Sequence, residues 1–552
     1  MTLRTLIERI ETSPLTVAES VSLIASAIFL RTFFENFTNA NNGGTLNGFL
    51  DTLFHYPLWF GCVFLATILV LSVIAKVPVA TARTLVAYSS FVILLPPVLD
   101  IFVHGFAAQP YSFLAGDYTT MAFHFATLML FTGAIGIGIK LEVLIALGAT
   151  FWYTLLKTGS ALRGLAAAFL VYGAIFFFLS LPVWGLSLWH AATPGENETL
   201  SGKAVEQFFF SDDPAASAFW PRPLVVDVRA SESLVGTSGA DHFSVTISSL
   251  LLILFTALLC ALYARARPAG FRALLGNVRY TRVLHYLFLA AVGCYLGLRF
   301  QGSGVVLSFG DVLAFLLLGM SLVFTWLYAV WENDEEDVSI DSISNEHRPL
   351  VTGATTVREW REVRWTLFVL ALAAGFLAGW YPFIFISVLI LLYHLYSCPP
   401  LRLKRVIGLS SAIVAGNALL AVLAGFFLSA GTESLAAFPL QTALGIFTIF
   451  LLAENVKNMK DLAGDRATGI MTLPVLLGER VGPHVVAALA ALAFILVPFF
   501  FGLSEYSLIL AGICAFVAYL FVVRKPYREL PLFLLYFVFF ALFFAFRLVG
   551  LA

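Results

Sequence analysis

Asp334, Asp337 and Asp341 stand at offsets 0, 3 and 7 in the run from Asn333 to Asp341, the densest group of carboxylates in a largely apolar chain. On a helix advancing about 100° per residue they fall within roughly 60° of one another, on one face. Like charges on one face repel, so a bare surface helix gains nothing from them. A divalent cation carrying a phosphate ligand turns that repulsion into binding. Asn458, Asp461 and Asp465 repeat the spacing. Both triads sit at the ends of apolar segments, placed to face each other across a bundle. Two acidic faces with basic residues nearby suggest a site for a metal–diphosphate, with Arg348, Arg402, Lys404 and Lys457 as candidates for the remaining phosphate oxygens.

The elements that must position these groups are membrane-spanning helices. A content of 60% hydrophobic and 12% charged residues, with a mean hydropathy of +0.92, excludes an ordinary soluble protein. The net charge of −1 gives no basic balance that would point to nucleic acid. The five cysteines (Cys62, Cys260, Cys294, Cys398 and Cys514) are scattered without CxxC spacing, which argues for small buried side chains over a disulfide framework.

Apolar runs in the first half lie at about Leu15 to Phe37, 57–75, 84–104, 120–139, 164–188 and 244–264. Arg31 and Glu35, at i and i+4 in the first run, are expected to pair. The segment from Lys140 to Arg163 is short between its charges and reads as an interfacial helix or part of a re-entrant hairpin. Nine runs follow, near 284–300, 307–331, 364–380, 382–397, 409–429, 441–457, 484–502, 506–523 and 531–550, for a total of about fifteen. Arginine and lysine gather in alternate loops of the second half, which predicts that both acidic motifs face the cytoplasm. Continued backwards, that alternation puts the N-terminus inside and the hydrophilic stretch of about 190–243 outside, as a small loop domain. It carries a strand-like segment at 224–229 and a sequon at Asn197.

The two motifs, taken with their tails, resemble the signatures of the UbiA superfamily of intramembrane prenyltransferases. Asn333, Asp334, Asp337 and Asp341 match its first motif, N-D-x-x-D-x-x-x-D, and Arg348-Pro349-Leu350 with Gly353 is similar to the tail that follows. Asp461, Gly464, Asp465 and Arg466 match the second, followed by a similar stretch from Gly469 to Gly478. Tyr396-Ser397 and the basic segment Leu401 to Arg405 look like the connecting Y-S…L-K segment. Asn458 stands where many members carry aspartate, and its amide oxygen is a weaker Mg²⁺ ligand than a carboxylate.

The resemblance covers about residues 278–552 and implies a nine-helix bundle. The expected fold is therefore an all-α polytopic membrane protein. Residues 1–270 form an N-terminal module of about six spans, and 271–552 a UbiA-like prenyltransferase domain. The implied function is Mg²⁺-dependent transfer of a prenyl group from a polyprenyl diphosphate to an aromatic or lipid, prenylglyceryl phosphate-like acceptor. Asp334, Asp337, Asp341, Asp461 and Asp465 are the catalytic candidates, and with Asn458 the metal ligands. Asn333, Arg348, Tyr396, Arg402, Lys404 and Lys457 are assigned to the diphosphate. The expected setting is a multi-pass protein of the plasma or inner membrane, in contact with membrane lipids, its site facing the cytoplasm.

Two rival classes are an ion-coupled transporter, whose carboxylates belong near the bilayer midplane, and a degenerate UbiA-like scaffold in which Asn458 marks lost catalysis. In the N-terminal half, His55, His104, His124, His190 and His242 fall near outer span ends, with Asp100, Asp117 and Glu35 at the same level. This pattern reads as interfacial polar side chains or, more sharply, an outward metal or substrate site. Gly133, Gly136 and Gly138 read as helix-packing residues.

Overall fold

The computed structural model describes residues 3–41, 49–103, 114, 118–133, 135–181, 183–184, 239–302, 309–432, 434–460, 462, 466 and 471–548. The chain is an all-α, multi-pass integral membrane protein, with thirteen helical stretches among the described residues long and apolar enough to cross a bilayer. It divides into two compact units, one ending at Phe271 and the other running from Arg272 to Ala552. The loop of 190–243 lies outside the described residues, apart from the backbone of 239–243, and the strand-like segment at 224–229 and Asn197 lie outside them altogether.

The N-terminal unit consists of α1 (Leu3–Thr12), α2 (Val17–Asn41), α3 (Tyr56–Ile74), α4 (Val79–Ser89), α5 (Leu95–Val103), α6 (Tyr118–Ala126), α7 (Ile137–Thr158), α8 (Ala161–Leu179) and α9 (Gly239–Ala266). A π-helical turn, Asp51–His55, leads into α3, and a 3₁₀ turn, Ser90–Leu94, joins α4 to α5. Cys62, Tyr172, Phe176, Ile247 and Leu251 form its main apolar core, where α3, α8 and α9 meet.

Six of its helices meet the span criterion, but the fourth is 137–158 and not 120–139. The helix that starts at Tyr118 stops at Ala126, and Leu128 and Met129 then adopt positive φ of 53° and 61°, a conformation that ends a helix of L-residues. Lys140 and Glu142, which read as the edge of a span, lie inside α7 with their charges answered. Lys140 Nζ donates to the Thr132 carbonyl at 2.8 Å, and Glu142 accepts from Arg31 at 3.0 Å. The segment from Lys140 to Arg163 is therefore the body of one long helix, the turn at Gly159 and the start of the next helix, rather than an interfacial element. Gly138 is the packing residue there, because a Cβ at that position would lie 2.5 Å from Pro96 Cα on α5.

Arg31 Nε donates to Glu35 at 2.8 Å, as the i, i+4 spacing predicts, while Nη1 reaches both Glu142 and the Ile93 carbonyl at 3.0 Å. Its guanidinium also lies 4.9 Å from the Phe60 ring centroid. Arg31→Ala will leave two buried carboxylates facing each other, and unfolding of the purified protein in detergent should show a loss of about 3–5 kcal/mol. A loss below about 1 kcal/mol would mean water already screens the cluster.

Of the histidines expected at one level, His55 sits on the π turn beside Asp51, with Nδ1 3.2 Å from Oδ1, and Asp51 accepts from Ser244 at 2.5 Å. His104, His190 and Asp117 lie outside the described residues, as do the side chains of Asp100 and His242.

α10 (Pro268–Gly276) follows, and the C-terminal unit then has α11 (Tyr280–Gln301), α12 (Phe309–Glu336), α13 (Val338–Ser344), α14 (Val357–Ala378), α15 (Trp380–Ser397), α16 (Leu409–Ser429), α17 (Leu440–Ala453), α18 (Leu473–Phe501), α19 (Glu505–Val523) and α20 (Glu529–Leu548). Nine long helices correspond to the nine apolar runs, yet seven meet the span criterion, which accounts for thirteen in place of fifteen. The two exceptions are α14, whose first two turns hold Arg358, Glu359, Arg361, Glu362 and Arg364, and α17, which is 14 residues long and passes into a 3₁₀ segment, Glu454–Met459. α14 starts on a capping box, in which Thr356 Oγ1 accepts from Glu359 N and Glu359 accepts from Thr356 N. α11 lies against α16, α12 against α14, and α18 against α19. α18 bends at Gly478, where φ of 75° and ψ of 170° break the helix.

Candidate active site

The helix that carries Asp334, Asp337 and Asp341 is interrupted at Asp337. α12 ends at Glu336, and Asp337, at φ −107° and ψ 13°, is the non-helical joint before α13. Asp334 and Asp341 share Arg348, while Asp337 has cations of its own. Asp334 is 2% exposed and is held by Asn277 Nδ2 at 2.7 Å, Arg279 at 2.6 Å and Arg348 at 3.5 Å. Asp337 meets Arg402 and Lys404, each at 2.5 Å, and also accepts from Asn333 Nδ2 at 2.9 Å. Asp341 accepts from Asn345 Nδ2 at 2.9 Å and lies 4.0 Å from Arg348 Nε.

Asn333, Asp337, Asp341, Arg348, Tyr396, Lys404, Lys457 and Asn458 line one cavity of about 540 Å³. Two candidates stand behind its wall. Asp334 is covered by its arginines, and Arg402 acts on the cavity through Asp337. Asp461, Gly464 and Asp465 lie outside the described residues. The start of the second motif does reach the chamber, since Lys457 and Asn458 line it together with Asp337 and Asp341. Lys457 Nζ donates to Tyr396 OH at 2.9 Å, pairs with Glu454, and lies 5.0 Å from the Tyr396 ring centroid.

Aromatic rings share the wall with these polar groups, namely Tyr286, Trp326, Tyr393, Phe450, Phe533 and Tyr536. Tyr286 OH and Tyr393 OH hydrogen-bond to each other, so neither phenol leaves an unsatisfied group in the apolar part. Sequence reasoning missed Arg279, Arg282, Glu454 and Glu529. Arg282 pairs with Glu529, which also accepts from Lys460 at 3.2 Å. The signal for Arg279 and Arg282 was two arginines three apart just before an apolar run, and ordinary span-end cations look the same.

Burial, then the like charge of Asp334, raises the Asp341 carboxyl above its ordinary value, outweighing Arg348 and Asn345, which lower it. A pocket that disfavours a bare carboxylate is relieved by a divalent cation. The donors facing the cavity are carboxylate and amide oxygens, the set a hard ion such as Mg²⁺ takes. On the basic side, Arg348 Nε and Thr472 Oγ1 are buried without a hydrogen-bond partner, free to meet a ligand oxygen.

The model of the UbiA prenyltransferase family matches residues 286–544. The digeranylgeranylglyceryl phosphate synthase of Natronomonas pharaonis is 31% identical over 208 residues, which cover 37% of this chain and 71% of that protein. The chain belongs to the UbiA prenyltransferase family. A second relative, the digeranylgeranylglyceryl phosphate synthase of Sulfolobus acidocaldarius, is 30% identical over 164 residues, so that the match covers 30% of this chain and 57% of that protein. Among solved structures, a UbiA homologue from Archaeoglobus fulgidus bound to DMAPP and Mg²⁺ is 21% identical with a TM-score of 0.39, covering 49% of this chain and 98% of the other. In UbiA terms the cavity lies within the matched region, apart from its contributors Arg279, Thr281, Arg282 and His285 just before it. The N-terminal half matches no family model.

Proposed function

We propose that the C-terminal unit transfers a prenyl group from a polyprenyl diphosphate to a prenylglyceryl phosphate-like lipid acceptor, with Mg²⁺, in a chamber that faces the cytoplasm. The observation that carries this reading is one cavity whose wall combines carboxylates, cations and aromatic rings. The names of the relatives favour a lipid acceptor over an aromatic one.

Asn333, Asp337, Asp341 and Asn458 are the oxygen donors available for the metal, with Asp461 and Asp465 assigned to the same task from their motif. When bound, Mg²⁺ supplies charge stabilisation to the departing pyrophosphate. Lys404, Lys457 and Arg348 bind the remaining phosphate oxygens as charge-assisted donors. Asp334 acts as a positioning residue, since it orients Arg279 and Arg348 from behind the wall. Asp337 holds Arg402 and Lys404 in place before substrate arrives, so binding a metal–diphosphate exchanges one set of ion pairs for another and no charge is left bare. As the allylic C–O bond ionises, aromatic residues of the wall such as Tyr286 and Trp326 supply apolar, electron-rich surroundings for the cation. The acceptor nucleophile then bonds to the same carbon and gives up its proton.

Purified full-length protein, given geranylgeranyl diphosphate and geranylgeranylglyceryl phosphate, should form the doubly prenylated lipid, read by mass spectrometry. Chelation of Mg²⁺ should lower the rate by about 10²-fold or more, and added Mg²⁺ should restore it. An aromatic quinone precursor serves as the second acceptor arm. Absence of Mg²⁺-dependent prenylation with both acceptors would end the proposal.

A further inference from the structure

We propose that Glu332, His394 and Cys398 form a zinc-type metal site, separate from the diphosphate chamber. Glu332 comes from α12, while His394 and Cys398 stand at i and i+4 at the C-terminal end of α15. One ligand atom from each lies within 4.8 Å of the other two. None of the three residues lines the chamber.

The plain alternative is a hydrogen-bonded cluster around the carboxylate. Glu332 Oε1 already accepts from Tyr328 OH at 2.8 Å and sits 3.1 Å from His394 Nδ1. Glu332 Oε2 is the atom that this alternative leaves unexplained. It is buried, on a side chain 3% exposed, and has no hydrogen-bond partner among the described residues, with the Cys398 thiol a further polar group at this carboxylate. Leaving such an oxygen unsatisfied is costly, and a cation removes the cost. Arg364 lies 3.8 Å from Oε1 but makes its closer pair, at 3.1 Å, with Glu335.

The donor set decides the metal class. A thiolate, an imidazole and one carboxylate suit zinc, whereas Mg²⁺ takes oxygen ligands. Around a tetrahedral zinc ion the ligand atoms stand about 3.3–3.8 Å apart, a spacing within reach of these three side chains. The His394 side chain is 50% exposed, which gives its ring room to turn and leaves the fourth position to water. Binding converts the Cys398 thiol to a metal-bound thiolate and releases its proton to solvent.

The site is one residue away from the chamber on both helices. Glu332 precedes Asn333, Cys398 follows Ser397, and Ser397 Oγ donates to Asn333 Oδ1 at 3.3 Å. Zinc at this point clips α12 to the end of α15 beside the chamber wall. Any influence on prenyl transfer rests on the function proposed above, whereas metal binding itself does not.

The test uses purified full-length protein loaded with Co²⁺, as a spectroscopic stand-in for zinc, in excess Mg²⁺. The expected result is one ion per chain with a thiolate-to-cobalt charge-transfer band in the near ultraviolet. Cys398→Ser should abolish the band and weaken Zn²⁺ retention by at least about tenfold, while Asp337→Asn should keep both. No band in the unaltered protein, or an undiminished band in Cys398→Ser, overturns the site. Loss of the ion in Asp337→Asn would assign it to the diphosphate chamber and also overturn the proposal. If Cys398→Ser fails to fold, His394→Ala decides by zinc retention, and unchanged retention overturns it.

Discussion

Asp337→Ala will lower prenyl transfer by about 10²–10³-fold, the usual cost of removing one preorganised charged contact from a transition state. Two effects act together. The variant removes an oxygen donor from the chamber, and it leaves Arg402 and Lys404 facing each other with side chains only 17% and 9% exposed. The second effect is one of stability, about 3–5 kcal/mol for a buried pair broken on one side. The double variant Asp337→Ala, Lys404→Met separates the two. It removes one of the orphaned cations, so thermal stability should recover in part, while transfer stays low because the donor is still missing. A single variant within about twofold of the unaltered rate would remove Asp337 from the chemistry. A double variant that regained activity along with stability would make its role structural.

Gly293→Ala and Gly425→Ala will each destabilise the C-terminal unit by about 1–3 kcal/mol or more, by forcing apart two helices that touch through their backbones. A Cβ at Gly293 would lie 2.0 Å from the Val422 carbonyl oxygen, and one at Gly425 would lie 2.1 Å from the Ala290 carbonyl oxygen. Neither obstacle is the end of a flexible side chain, so relief requires α11 to move away from α16 as a body. Both substitutions disturb one interface, so their effects should combine to less than their sum. Gly512→Ala is the control, because a Cβ there meets nothing within 4 Å. It should be neutral or gain up to about 1 kcal/mol of helix propensity. Equal unfolding midpoints for Gly293→Ala and Gly512→Ala in detergent would refute the close approach.

The first motif shows how far spacing alone reaches. Asn333, Asp337 and Asp341 were legible as site residues because carboxylates are scarce in this chain and their clustering needs a cause. Their directions were not legible. Asp334 is held by Asn277 and Arg279, two residues far upstream that no local pattern connects to it. Lys404 and Arg402 illustrate the converse. Their type and place in a basic segment marked them as phosphate ligands, and the folded chain adds that they spend the unliganded state on Asp337. In the N-terminal unit, charge misled the reading of spans. Lys140 looked like a boundary because an unpaired charge is expensive in a bilayer, and in the folded chain Lys140 donates to the Thr132 carbonyl while the nearby Glu142 pairs with Arg31.

From its residues alone this protein could be read as helical, membrane-embedded and built to hold a metal–diphosphate, since hydrophobic run length and the rarity of acidic groups are properties of the chain itself. Which carboxylates face the chamber, which arginines stand behind them, and that Glu332 meets His394 and Cys398 were decided only by tertiary structure. Each of those facts depends on residues 50 or more positions apart being brought within hydrogen-bonding or ligand distance, and one-dimensional spacing carries no record of that approach.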